Sequence, residues 1–229
     1  MSTPARLPRD HVAPPPPAVP PTPVTAEWKA GTEILRIYSL SAYTPDELSF
    51  RFYGPLLRFD HHRAPITAPA EDPERAIWYG AKLNQPPGMV SALEVCMWEC
   101  FAAERRVDTS RLLGRVQVRA GEALRLLDLT GSHATDAGTI KQLANTPSPA
   151  DSQEWSRYFY EHPQVYEEID GLLFESAWCG GLNVALYERC RAKLDPVGIG
   201  SLALSNSALY GEVVTIAAKR GWSIAAATI

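Results

Sequence analysis

Apolar and polar positions change period several times along the chain, and those changes mark out its elements. Residues 31–40 (GTEILRIYSL) concentrate β-branched and aromatic side chains and predict a first strand. The SAYTPDELS that follows predicts a turn or a short helical piece, and LLRFD at 56–60 a further strand. Residues 61–74 hold Pro65, Pro69 and Pro73 and read as a loop. RAIWYGA at 75–81 is a compact strand. Over residues 89–104 the period becomes helical, with Val90, Leu93, Met97, Cys100 and Phe101 on one stripe. GRVQVRA and ALRLLDL predict two strands joined at AGE, and DLTGSHATDAG a short helix after them. Residues 151–168 predict a helix with Asp151 or Ser152 as N-cap and Glu154 placed for a capping box. His162-Pro163 should break or kink it. GLLFES and NVALYER are strands around a turn that contains Gly180 and Gly181. Residues 206–220 predict a last helix stopped by Gly221, with SIAAATI a final strand or tail.

Strands outnumber helices and the connections are irregular. That predicts an α+β fold, a mixed central β-sheet with peripheral helices, over a regular βαβ series. Residues 1–25 form a proline-rich leader (PPPP, PPTP) with almost no large apolar side chains, which predicts disorder or polyproline structure. Residues 26–229 are then expected to form a single folded domain.

Composition narrows the function classes. The 229 residues suffice for one domain with a sizeable core, and 45% apolar with 21% charged residues is ordinary globular usage. A net charge of −4 offers no basic surplus for nucleic acid. No apolar run reaches the roughly 20 residues of a membrane span, and the N-terminus lacks the apolar segment of a secretory signal. Cys96, Cys100, Cys179 and Cys190 do not form a paired zinc pattern and read as reduced, buried thiols suited to a reducing cytosol. No GxGxxG or Walker A signature is present.

Several residues could carry chemistry. Glu94 falls within the apolar stripe of its helix, four residues after Val90 and three before Met97. A carboxylate there either reaches water or an arginine at the stripe's edge, or points into a pocket. Glu99 falls off the stripe and is expected to be solvated. Arg36 and Arg58 sit among apolar residues on strand-like segments and suit either salt bridges or a two-pronged grip on phosphate. Arg51 and Arg63 are weaker candidates. Tyr79 reads equally as a core tyrosine or a stacking face. Ser176 is a turn serine or a ligand contact, without the GxSxG of an acyl-transfer nucleophile. Trp178 and Asn183 flank the glycine turn as candidate pocket walls. His61 and His62 point to opposite faces of an extended segment and do not readily share a metal.

The stretches LRIY, LLRFD, AIWYGA, SALEV and DGLLFESAWCGGLNVALYE resemble the RES domain family over about residues 33–189. The resemblance implies a fold similar to that of ADP-ribosyltransferases, with Arg58, Tyr79, Glu94 and Ser176 lining one cleft and Arg36 as an earlier basic residue. It implies a bacterial cytoplasmic toxin of a toxin–antitoxin pair that consumes NAD by phosphorolysis or hydrolysis of the nicotinamide–ribose bond. NAD is then a substrate, inorganic phosphate a candidate co-substrate, and no cofactor is bound. The implied partner is a helix-turn-helix (Xre-like) antitoxin, with no direct contact to nucleic acid or membrane. On this reading Glu94 faces the ribose, Arg36 and Arg58 hold phosphates, and Tyr79 and Ser176 meet the nicotinamide end. Two other readings stay open: transfer of ADP-ribose to a macromolecule, and an inert module that binds a nucleotide or a partner. Pro55-Leu56-Leu57 precede Arg58 where the family has a glycine pair, which favours the inert module, as does the proline-rich leader.

Overall fold

The structure, a computed structural model, describes residues 23–63, 70–146, 149–198 and 200–225. Most of the proline-rich leader lies outside the described residues. The strands in chain order are β1 (Thr25–Lys29), β2 (Glu33–Tyr38), β3 (Tyr53–Gly54), β4 (Ala70–Glu71), β5 (Ile77–Lys82), β6 (Arg106–Val107), β7 (Leu112–Val118) and β8 (Ala123–Asp128). They continue with β9 (Gly171–Glu175), β10 (Leu182–Tyr187), β11 (Leu194–Pro196), β12 (Leu202–Ala203) and β13 (Ser223–Ile224). The helices are α1 (Ala92–Phe101), α2 (His133–Asp136), α3 (Pro149–Glu161), α4 (Pro163–Tyr166) and α5 (Ser207–Arg220).

The protein is α+β, built on a nine-stranded mixed sheet in the order β1-β8-β9-β10-β5-β2-β7-β11, with β12 also on β7. Within it β8 and β9 run parallel, and the other pairs are antiparallel. The central strands β9 and β10 are apolar and buried almost throughout because both faces of the sheet are covered. One face packs on α1 and α5 through Leu35, Ala81, Leu93, Met97, Val213 and Trp222. Beside that cluster, Phe59, Trp155, Phe159, Tyr166, Phe174 and Tyr187 gather under α3 and α4. Trp28, Ile34, Trp78, Val116, Leu124 and Leu186 form a third cluster.

Local chemistry sets the element ends. Asn206 caps α5 by accepting from the Ala208 N–H, and Gly221 closes it in the left-handed conformation at φ 67°. The break at His162-Pro163 separates α3 from α4. Three expectations need correction. The edge strand β1 was not foreseen, because Trp28 is its one fully buried side chain and its apolar signal is weak. Helix α3 begins at Pro149, before the expected cap. LLRFD is a turn, not a strand. The Asp60 carboxylate accepts the Leu56 and Leu57 N–H groups at 2.5 and 2.8 Å, so a side chain satisfies donors that a neighbouring strand would otherwise take.

The sheet forks at one place. Strands β2 and β5 pair only at Ile34–Lys82 and Leu35–Ala81, whereas β2 stays paired with β7 along its whole length. Beyond Leu35 the two strands part. Helix α1 covers the fork, and its thiols satisfy carbonyls there: Cys96 donates to Leu35 O at 3.4 Å and Cys100 to Ile37 O at 3.7 Å. Four helical residues advance about 6 Å and two strand residues about 6.8 Å, so an i, i+4 pair of donors matches alternate carbonyls.

Candidate active site

The fork opens into a cavity of about 360 Å³. Arg36 and Ile37 come from β2, and Ile77, Tyr79 and Gly80 from β5. Helix α1 contributes Cys96, Glu99 and Cys100, and the segment around β9 and β10 contributes Phe174, Trp178, Asn183 and Val184. Thr44, Arg51, Leu57 and Arg58 complete the wall. Gly80 is required at its position: a Cβ there would lie 2.7 Å from Leu35 O and closer still to the Trp78 ring.

Among the described residues one carboxylate, Glu99, faces the cavity. Ser176 Oγ donates to its Oε1 at 2.5 Å, and Asn183 Nδ2 donates to the same oxygen at 3.2 Å. Both donors are buried, at 4% exposure each, so they hold the carboxylate from behind. Glu99 is an exposed residue that opens onto the cavity, and its carboxylate is backed by these two buried donors. Partial desolvation of the carboxylate against the cavity wall raises its pKa above glutamate's usual value, with Ser176, the Arg58 charge and Asn183 opposing. The turn that carries Ser176 is tight: Ser176 N donates to Gly181 O at 2.7 Å, and Gly180 sits at φ 74°.

Three arginines line the same space. Arg36 lies between the Tyr38 and Trp78 rings, 5.1 Å from each centroid, and donates to Ser49 O at 2.8 Å. Its Nε has no partner, and no carboxylate pairs with it among the described residues. Burial lowers its pKa to about 10, so it keeps its charge at neutral pH. Arg58 reaches the carbonyls of Ala144 and Thr146 at 2.5 and 3.1 Å. Arg51 pairs with Asp60 at 2.5 Å. Tyr79 presents its ring to the cavity; its hydroxyl donates to Asp60 and accepts from the Phe59 N–H. Trp178, 48% exposed, stacks on Trp98 with ring centroids 6.1 Å apart.

The structure thus brings together Arg36, Arg58, Tyr79, Ser176, Trp178 and Asn183. It does not bring Glu94 to them. Glu94 is buried on another side of α1 and pairs with Arg220 of α5, with Lys219 at 3.3 Å. The expectation of a pocket-facing Glu94 is therefore corrected. A carboxylate on the apolar stripe lies against protein, and it survives burial there through a cation from the helix packed above it. Glu99 was set aside because it lies off the stripe, but a ligand cavity is solvent-filled, so a polar position facing it looks like ordinary surface. Arg51 stood as a weak candidate and Asp60 was not considered. The acceptor set of Asp60 is visible only when the loop is folded.

The fold and site define an α+β protein with a forked-sheet cleft, lined by cations and aromatic rings and facing a single held carboxylate. No protein-family model and no curated protein matches the chain. Among solved structures it is similar to a chain of the crystal structure of the M. tuberculosis MbcT-MbcA toxin-antitoxin complex. The identity is 18%, covering 83% of this chain and 92% of that chain, with a TM-score of 0.48. A likeness at that level adds nothing to what the geometry itself says.

Proposed function

We propose that the protein degrades NAD by breaking the bond between nicotinamide and ribose C1″, by phosphorolysis or hydrolysis. The observation that carries this reading is Glu99, held by Ser176 and Asn183 and facing a cavity that also contains Arg36, Arg51 and Arg58. The sequence resemblance to the RES family supports it. In the reaction the nicotinamide nitrogen takes both electrons of the broken bond and leaves neutral. Positive charge then develops on the ribose, as in other glycosyl transfers. A carboxylate fixed about 4 Å away stabilises that charge by roughly 4 kcal/mol at an effective dielectric of about 20. NAD is already positive on its nicotinamide, so only the increment gained in the transition state accelerates the step. An oxygen of phosphate or water forms the new bond to C1″, and a water nucleophile gives its proton to Glu99 or solvent. The arginines hold the pyrophosphate, Tyr79 and Trp178 offer ring faces to the bases, and Ser176 and Asn183 orient Glu99.

By the same resemblance, the protein acts as the toxin of a toxin–antitoxin pair in the bacterial cytoplasm, countered by a helix-turn-helix antitoxin. A second reading is ADP-ribose transfer to a macromolecule. The half-exposed Trp178 and Leu57 at the cavity edge favour it by leaving the mouth open to a large acceptor. Incubation with labelled NAD, with and without phosphate and candidate proteins, tests both. Free ADP-ribose or its 1″-phosphate supports the first reading and labelled protein the second; intact NAD under all conditions refutes both.

A further inference from the structure

We infer that Asp60 is a positioning residue that locks the arginine wall of the cavity into its ligand-binding arrangement. The inference rests on the proposed reading of the cavity as a dinucleotide site. Asp60 is fully buried, and each of its oxygens accepts two hydrogen bonds. Oδ1 takes Arg51 Nη2 at 2.5 Å and the Tyr79 hydroxyl at 2.8 Å. Oδ2 takes the Leu56 and Leu57 N–H groups at 2.5 and 2.8 Å. A carboxylate has about four acceptor positions, so the set is complete. An amide cannot replace it, because its NH₂ would face two of these donors.

These four bonds join Arg51, Tyr79 and the turn that carries Leu57 and Arg58, all of which line the cavity. Arg51 is bridged to Ile77 of β5, and Tyr79 lies on the same strand. Leu57 and Arg58 belong to the turn that Asp60 closes. The turn's carbonyls are tied separately to α3, Leu57 O by Gln153 at 3.0 Å and Phe59 O by Ser156 at 2.7 Å. Asp60 therefore fixes the turn relative to the sheet, and with it the distance between the Arg51 and Arg58 charges. Asp60 takes the proton of the Tyr79 hydroxyl while the Phe59 N–H donates to the same oxygen, which leaves the ring as the part of Tyr79 that meets ligand. Asp60 does not line the cavity itself, so it acts through these neighbours.

The test is ADP-ribose binding by calorimetry together with steady-state nicotinamide release, for wild type, Asp60→Asn, Tyr79→Phe and the double variant. Misplaced arginines weaken ground-state binding, so Asp60→Asn should lower ADP-ribose affinity and raise KM for NAD about tenfold, with kcat within about threefold. Tyr79→Phe removes one donor to Asp60. Its effect on binding should be smaller, and it should not add to that of Asp60→Asn. Where Asp60→Asn fails to fold, weakened binding in Tyr79→Phe supports the assignment and unchanged binding overturns it. Unchanged affinity in a folded Asp60→Asn protein, or additive effects in the double variant, also overturns it. Wild type that binds ADP-ribose without cleaving NAD refutes the proposed reaction and leaves this test standing. Wild type that does not bind ADP-ribose sinks both.

Discussion

Glu94 and Glu99 lie five residues apart on α1, which is about 140° around the helix, so one meets α5 and the other the cavity. Their replacements separate the two roles. Glu99→Gln keeps the size and the contacts to Ser176 and Asn183 but removes the charge that faces the sugar. Nicotinamide release should fall roughly a hundredfold to a thousandfold, with NAD affinity largely kept. Glu94→Gln should leave turnover nearly intact and lower stability by about 2 kcal/mol. That is below the roughly 3–5 kcal/mol of a fully buried pair, because Arg220 is 27% exposed. Chemical denaturation and a nicotinamide assay on both variants check the pair of outcomes; lost turnover in Glu94→Gln with normal turnover in Glu99→Gln would reverse the assignment. The titration of Glu99 adds a second handle. Its charged form is the active one and its pKa is raised, so kcat/KM should fall as pH drops through a value above that of an ordinary glutamate. The acid limb of the profile should disappear in Glu99→Gln.

At the scale of elements, α1 is set by contacts on more than one side. Cys96 and Cys100 bind the carbonyls that the forked sheet leaves open, and burial raises both thiols, Cys100 to about 11. Neither should react with iodoacetamide in the native protein at pH 8, and both should react after unfolding; rapid native labelling of either would contradict the fork contacts. Gly181 touches α1 from the opposite side, where a Cβ would lie 2.2 Å from Val95 Cγ2. Gly181→Ala should push the Ser176 turn away from α1, cost roughly 1–3 kcal/mol of stability and reduce turnover through Glu99. Packing on several sides also explains what the sequence concealed. A helical wheel assigns one buried stripe, but most of α1 is buried, so the wheel could not rank its two glutamates. Long periodic segments such as α5 and the central strands were legible. The turn at 56–60 was not, because its apolar residues imitate a strand until Asp60 is seen to cap it.

For the whole molecule, the convergence of Arg36, Arg58, Tyr79 and Ser176 followed from motif resemblance, and that of Trp178 and Asn183 from their place beside the glycine turn. The fork that creates the cavity depends on which strands stop pairing, which no local pattern encodes. The same closing of the chain buries His61 and His62 completely. His61 Nε2 lies 3.0 Å from Glu188, with the ring beside Tyr160 and Tyr187, while both nitrogens of His62 lack a partner among the described residues. Burial lowers the pKa of each, against the attraction of Glu188 for His61 and of Asp60 for His62. The unfolded chain then binds more protons below about pH 6.5, so stability is full at neutral pH and declines as the pH falls past that value. The slope is at most about 1.4 kcal/mol per pH unit for each histidine. Glu188 acts in a lower window: burial would raise it, but hydrogen bonds from His61 and Tyr160 hold it at about 2, and its contribution is lost only below about pH 4.5. Melting curves between pH 7 and 5 should therefore show a falling Tm in wild type and a shallower fall in His62→Leu. Parallel curves for the two proteins would mean that His62 is protonated alike in the folded and unfolded chains, which complete enclosure without a partner does not allow.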